Sequence, residues 1–230
     1  MNKERSLPGD ADSDWKVDRL LKTHPLLGVV ADHVADAVVL DVGCVGHGLE
    51  KRYTSYPFVH DLLCRYADRV IGIDIQEPEI EALTNEGYTV FCQNAESFSV
   101  DETFDVIFAG DLIEHLANPG LFLDRCHQHL RPDGVLLLVT PNAFCLNRLL
   151  CNLLFLDNDP NANPEHTCWF SPIVFRELLG RSGFSIESIR YIDSPKMTKR
   201  WGSRMTDRLC RLFGARLRET MVVSARPFRD

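Results

Sequence analysis

No two of the eight cysteines of this 230-residue chain form a C-x-x-C pair, so neither a zinc ribbon nor a thioredoxin-type redox motif is suggested. Cys44, Cys64, Cys92, Cys126, Cys145, Cys151, Cys168 and Cys210 read instead as reduced thiols used as small apolar side chains. Long apolar runs are missing too. The longest, such as Val135–Val139, fall far short of the roughly 18 residues a membrane span needs. The opening residues, Met1–Asp10, are polar and lack the apolar core of a signal peptide, so the expected location is cytoplasmic. A basic excess is also absent: 25 Lys and Arg face 33 Asp and Glu, a net charge of −8. That balance argues against a nucleic-acid partner held through a broad basic surface and favours a small or neutral one. With no internal repeat, low-complexity tract or linker, the 45% hydrophobic, 25% charged composition predicts one domain over residues 1–230. The oligomeric state is not encoded in these features.

From Ala37 onward, short β-branched apolar runs alternate with longer amphipathic stretches, the pattern of a parallel sheet with helices on both faces. Strands are predicted at Ala37–Val42, Arg69–Ile75, Tyr88–Gln93, Phe104–Gly110, Gly134–Thr140, Phe184–Ile192 and Thr220–Ala225. Asp14–Ala35, within a prefix of residues 1–36, reads as helical and is interrupted at Pro25. It is expected to fold over the sheet near a ligand. Residues 142–165 and 195–218 fall outside the strand and helix rhythm and read as insertions near a site.

In an open parallel sheet, ligands bind beyond the carboxyl ends of the strands. Asp41 ends the first strand and is followed by Gly43, Gly46 and Gly48, where glycine permits unusual torsions and close approach of backbone to a ligand. The spacing is G-x-x-G-x-G, not the dinucleotide fingerprint G-x-G-x-x-G. A carboxylate two residues before the first glycine would repel a pyrophosphate but could accept hydrogen bonds from an ammonium group. Asp74 ends Val70–Asp74, where a carboxylate can take both hydroxyls of a ribose; its alternative role is capping a helix that begins near Pro78. Beyond the third strand, Asn94, Ala95 and Glu96 lie where an adenine edge would sit, and Asn94 serves equally well as a turn residue. The fourth strand delivers Asp111, Glu114 and His115.

These residues resemble the class I S-adenosylmethionine-dependent methyltransferases, a group that includes ubiquinone-biosynthesis and sugar-modifying enzymes. The resemblance rests on Val39–Cys44, Ile71–Asp74, Phe104–Ile107 with Asp111–Pro119, and Leu130–Leu136 leading to Thr140–Asn142. It implies a Rossmann-like, seven-stranded, mostly parallel sheet of order 3-2-1-4-5-7-6 with the last strand antiparallel. It also implies S-adenosyl-L-methionine as cofactor, bound by Asp41, Gly43, Cys44, Gly46, Asp74, Ile75, Asn94, Ala95, Glu96 and Asp111. The family's usual loop is D-x-G-C-G-x-G. Here Val45 adds a residue, which makes Gly46 the expected closest approach to the cofactor.

The segment Glu165–Pro172 is similar to one frequent in relatives found with glycan-assembly genes, which implies a sugar acceptor, such as a hexuronic acid, on a surface or lipid-linked glycan. A quinone-type small molecule is the alternative acceptor. For a hydroxyl nucleophile, His115 is the first candidate general base and His166 the second; His115 reads equally as a structural histidine at a helix entry. A carboxylate acceptor would need no base.

Asp111, Glu114 and His115 also resemble the E-x-x-E-H arrangement that holds a divalent ion in some relatives. An aspartate stands where the first glutamate would, and no further ligand is evident in the sequence, which weighs against a metal. Residues 196–218 carry eight Lys or Arg and one acid, interleaved with apolar residues. This stretch reads first as solvated helices capping the site, and second as a peripheral contact with the inner face of an anionic membrane. A nicotinamide-dependent oxidoreductase and a non-catalytic binding protein of the same fold are the rival classes. The loop spacing and the absence of a Tyr-x-x-x-Lys pair argue against the first, and the intact set of Asp41, Gly43, Asp74 and Asp111 against the second.

Overall fold

The computed structural model of the chain describes residues 25–46, 49, 58–154, 163–193, 208–210, 212 and 214–228. Its elements in chain order are α1 (Pro25–Val34), β1 (Val38–Val42), α2 (Val59–Tyr66), β2 (Arg69–Asp74), α3 (Glu77–Asn85), β3 (Val90–Cys92) and β4 (Phe104–Gly110). After a 3₁₀ turn at Ile113–His115 come α4 (Pro119–His129), β5 (Leu130–Pro141), α5 (Leu146–Leu153), α6 (Pro172–Arg181), β6 (Phe184–Ile192), a 3₁₀ turn at Ala215–Leu217 and β7 (Thr220–Pro227).

The seven strands form one sheet in the order β3-β2-β1-β4-β5-β7-β6. The first five are mutually parallel, and β7 runs antiparallel to both β5 and β6, as the resemblance implies. Alternation along the strands sends successive side chains to opposite faces. On one face Leu40, Val42, Ile71, Ile73, Ile107 and Ala109 pack with Phe122 of α4 and Phe175 of α6. On the other, Val39, Val70, Val106, Phe108 and Leu137 pack with Leu27 and Val30 of α1 and with Leu62 and Leu63 of α2. The same period turns Asp41, Gly72 and Asp74 toward the α2 face, and the site is built there.

Several boundaries differ from the sequence expectation. β3 begins at Val90, because Tyr88 is buried among Phe58, Val45 and Leu83 and its amide bonds the Leu83 carbonyl at 3.0 Å. β5 begins at Leu130, four residues early. Phe104 pairs with Leu130 and then Val106 with Val135 across a register shift, so Arg131–Gly134 bulge out, and Arg131 pairs with Asp105. Pro25 is the first residue of α1, a position where its missing amide costs nothing.

Residues 142–165 are not uniformly irregular. Leu146, Leu149, Leu150 and Leu153 recur at helical spacing and form α5. The prefix before Pro25 and most of 195–218 lie outside the described residues. Among the described residues, no helix is long and apolar enough to cross a membrane.

Candidate functional site

The carboxyl ends of β1, β2, β3, β4 and β5 converge on one rim of the sheet. β1 ends in the turn Gly43–Gly46. Gly43 and Gly46 have φ values of 82° and 64°, left-handed torsions that glycine adopts without penalty. The Gly43 and Cys44 amides both donate to the Ile73 carbonyl, at 2.8 and 3.2 Å, which fastens the turn to the end of β2. A Cβ at Gly43 would stand 3.2 Å from the Leu112 side chain, whereas one at Gly46 would meet nothing within 4 Å. Gly46 therefore faces open space and Gly43 faces the β4 loop.

Asp74 receives two backbone amides, from Val45 on Oδ2 at 3.0 Å and from Gln76 on Oδ1 at 3.1 Å. Its carboxylate joins the glycine turn to the start of α3. The cap position of that helix is Gln76, with no side-chain cap bond, so Asp74 acts through the Gln76 amide. Ile75, next along, is 68% exposed.

Asn94 accepts the Glu96 amide on Oδ1 at 2.8 Å, the turn role. Glu96 accepts the Asn118 amide at 2.8 Å, and Ala95 is buried. These three line the end of β3 beside the exposed Phe91.

Asp41 is buried, and its Oδ2 accepts from Nδ1 of His60, on α2, at 2.9 Å. Burial raises the Asp41 pKa against the lowering effect of this bond. For His60, burial opposes the charged form, but the bond to Asp41 and the neighbouring Cys64 outweigh it and hold the pKa up at about 10. The direction that follows from the geometry is that the pair keeps its proton on the imidazole. Cys44 is likewise buried, and desolvation with the two carboxylates drives its thiol pKa far up, so it serves as an apolar group under the turn.

Beyond β4, Asp111 has φ 48°, a left-handed torsion that aspartate tolerates better than most residues. Its amide donates to the Val139 carbonyl at 2.9 Å. The residue opens to solvent on one side, yet the protein around it removes enough hydration to raise its carboxyl to about 6. Glu114 is buried. Burial first, then the neighbouring Asp111 carboxylate, raises it to about 8. Oε2 accepts the Thr140 hydroxyl at 3.0 Å, while Oε1 is buried without a hydrogen-bond partner.

The segment before α6 docks here. The Thr167 and Cys168 amides donate to the Glu114 carbonyl at 2.8 and 3.2 Å, and the Thr167 hydroxyl bonds the Leu116 carbonyl at 2.7 Å. This sets the His115 and His166 rings edge to face, with centroids 4.7 Å apart, and the His166 ring against Trp169 at 4.9 Å. Ligand atoms of Glu114, His115 and His166 all lie within 4.8 Å of one another, a set that could hold a divalent cation. His166 stands where a further ligand could come from, which the sequence did not reveal, and Asp111 stands outside this set.

Sequence reasoning missed His60, Gly72, Thr140 and Thr167. Two of them carried a signal. His60 shares a helical face with Leu63 and Cys64, and Gly72 interrupts an apolar strand, which marks a close approach. A Cβ at Gly72 would lie 2.8 Å from Cys44 Sγ, from His60 Cε1 and from Val90 Cγ1.

Residues 16–189 match the family model described as a methyltransferase domain. A protein of Mycolicibacterium smegmatis named as a probable S-adenosylmethionine-dependent methyltransferase is 30% identical over 80% of this chain and 65% of its own length. The ubiquinone biosynthesis O-methyltransferase of Nitrobacter winogradskyi is 36% identical over 45% of this chain and 38% of its own. The chain therefore spans less than two thirds of either relative. The crystal structure of an S-adenosylmethionine-dependent methyltransferase from Mesorhizobium loti superposes with a TM-score of 0.59 at 18% identity, covering 88% of this chain and 96% of that one.

Proposed function

The chain belongs to the class I S-adenosylmethionine-dependent methyltransferases, and on that premise we propose that it methylates a hydroxyl oxygen of a small, largely apolar acceptor. The observation that carries the cofactor half is the pair of carboxylates flanking the glycine turn, Asp41 and Asp74, tied to it by the Val45 amide and the Ile73 carbonyl. This pair of acceptors suits an ammonium and a ribose diol, and it opposes a pyrophosphate.

When bound, S-adenosylmethionine supplies a methyl carbon already made electrophilic by its sulfonium. The work left to the chain is binding and alignment. Asp74 would accept the ribose hydroxyls, exchanging the Val45 amide on Oδ2 for a ligand donor. Asp41 would accept the ammonium group, Gly43, Cys44 and Gly46 would pass the methionine moiety along the turn, and Ile75, Asn94, Ala95 and Glu96 would border the adenine. Asp111 would line the cleft floor. His115, with His166 edge-on to it, would take the acceptor proton as the bond to the methyl carbon forms.

The apolar character of the acceptor is supported by Phe144, Leu149, Leu150, Leu153 and Trp169. All are exposed on the two segments that flank the paired histidines. Relatives named for ubiquinone biosynthesis favour this quinone-type acceptor over the glycan acceptor expected from Glu165–Pro172. The test is calorimetry with S-adenosylhomocysteine and with NADH, followed by mass spectrometry of catechol-type and uronic-acid acceptors incubated with enzyme and S-adenosylmethionine. Binding of the first ligand alone, and a gain of one methylene mass on the catechol, is expected. NADH binding without S-adenosylhomocysteine binding would sink the reading.

A second reading adds a metal, favoured by the orphaned buried Oε1 of Glu114. One carboxylate and two imidazoles suit Mn²⁺ or Zn²⁺ better than Mg²⁺. Held by Glu114, His115 and His166, such an ion would acidify an acceptor hydroxyl. In that state His115 is a ligand, and proton removal no longer depends on it.

A further inference from the structure

We propose that His60 is a positioning residue for the cofactor: it fixes the Asp41 carboxylate so that the remaining oxygen meets the cofactor's ammonium group, and it thereby sets affinity for ligands that carry that group. The proposal rests on the reading of Asp41 as the ammonium acceptor.

The geometry is specific. Nδ1 of His60 donates to Oδ2 of Asp41 at 2.9 Å; the His60 side chain is closed to solvent while that of Asp41 keeps a 4% opening, and Oδ1 is the oxygen His60 leaves for a ligand. The imidazole is packed closely, with its Nε2 buried and without a hydrogen-bond partner. Phe58 and Tyr88 pack on it with centroids at 5.9 and 5.4 Å, and Gly72 lies so close that a single methyl there would collide with Cε1.

β2 gives up a side chain at Gly72 to admit this ring and the Cys44 thiol together. A histidine kept only for packing would not need its Nδ1 aimed at the one carboxylate that ends β1. A buried carboxylate with no donor reverts to the neutral acid and loses its grip on a cation, and His60 prevents this.

Among the described residues, the ionisable groups that face the pair are few. From β1 and its turn come Asp41 itself and Cys44, from β2 Asp74, and from α2 Cys64, Asp61 and Arg65. The Tyr88 hydroxyl ahead of β3 donates to Asp61 at 3.1 Å, and Arg65 pairs with the same Asp61 at 3.6 Å. Asp61 is thereby engaged elsewhere, and Asp41 accepts the hydrogen bond from His60 Nδ1. The raised pKa of His60 agrees with this arrangement.

The experiment compares two ligands by calorimetry: S-adenosylhomocysteine, and 5′-methylthioadenosine, which keeps the nucleoside and lacks the amino-acid tail. Replacing His60→Leu is expected to weaken S-adenosylhomocysteine about tenfold, the scale of one charge-assisted hydrogen bond, and to leave methylthioadenosine unchanged. His60→Asn, whose side-chain amide can donate from nearly the same place, is expected to restore affinity to within about threefold. Asp41→Asn should reproduce the selective loss, and it decides the matter if the leucine variant does not fold.

Equal weakening of both ligands would reduce His60 to a structural role and overturn the proposal, as would an unchanged preference for the tailed ligand. Failure of the unmodified protein to bind either ligand would instead overturn the cofactor reading itself.

Discussion

Thr140 on β5 donates its hydroxyl to Oε2 of Glu114 at 3.0 Å, and this bond joins the end of β5 to the 3₁₀ turn that follows β4. It occupies one oxygen of a buried carboxylate that lies near the His115 and His166 rings, and the other, Oε1, has no hydrogen bond. Leaving such an atom unpaired costs about 1–3 kcal/mol. A bound cation would remove that cost.

The first prediction follows from this pair. Millimolar Mn²⁺ should raise the thermal midpoint of the wild-type protein, because a ligand that binds only the folded state stabilises it. Glu114→Gln and His166→Ala should each abolish the rise. Differential scanning fluorimetry with and without chelator measures it, and a midpoint indifferent to metal in the wild type would remove the metal reading.

Asp74 offers a second. Replacing it with alanine deletes an acceptor for the ribose hydroxyls and frees the Val45 and Gln76 amides. Affinity for S-adenosylhomocysteine should fall by roughly tenfold to a hundredfold, corresponding to about 1.5–3 kcal/mol for bonds to a charged group. Calorimetry reads this directly, and unchanged affinity would mean that the ribose binds elsewhere.

Gly72→Ala tests the packing under the glycine turn. Its new methyl group would overlap Cys44, His60 and Val90 at 2.8 Å each, and overpacking of this kind costs about 1–3 kcal/mol. A thermal midpoint lower by several degrees is expected, at about 2–4 °C per kcal/mol for a chain of this size. An unchanged midpoint would show that the three neighbours yield freely.

The His60–Asp41 pair makes stability depend on pH. His60 is raised from its ordinary 6.5 to about 10 in the folded state. Its contribution is therefore complete below pH 6.5 and is lost as the pH rises through about 10, since the folded state then binds a proton that the unfolded state has released. Urea unfolding at pH 7, 8 and 9 should show wild-type stability declining with pH, and His60→Asn should flatten the decline. A wild-type curve with no slope in that window would contradict the pairing.

The sheet was legible in the sequence because its strands are buried on both faces and read as β-branched runs with sharp ends. Phe104–Gly110 and Phe184–Ile192 coincide with the observed strands. The errors fall where long-range packing overrode local pattern. Tyr88 left the strand to pack against α2, and Leu130 joined β5 across a bulge that no periodicity announces. At the site, residues that end strands could be found because position alone gives them a role. His60 could not, since it reaches the rim from α2 and its partner Asp41 is 19 residues away in the chain. His166 is legible as a candidate base, but its pairing with His115, 51 residues away, is not.

β7 lies between β5 and β6, so the strand made later in the chain is the one that completes the interior. Until residues 220–227 have been synthesised, β6 has no neighbour among the described strands and the outer side of β5 is a bare edge. The order of translation therefore leaves Leu136, Leu138 and Val139 with an open ladder for the time the ribosome takes to cross the stretch between β6 and β7. Any nascent chain halted there would carry the open edge of β5 and a wholly unpaired β6, both prone to pairing with another molecule. The assembly of this fold is thus timed by β7, and a premature stop before Thr220 would produce an aggregating species in place of a merely weakened enzyme.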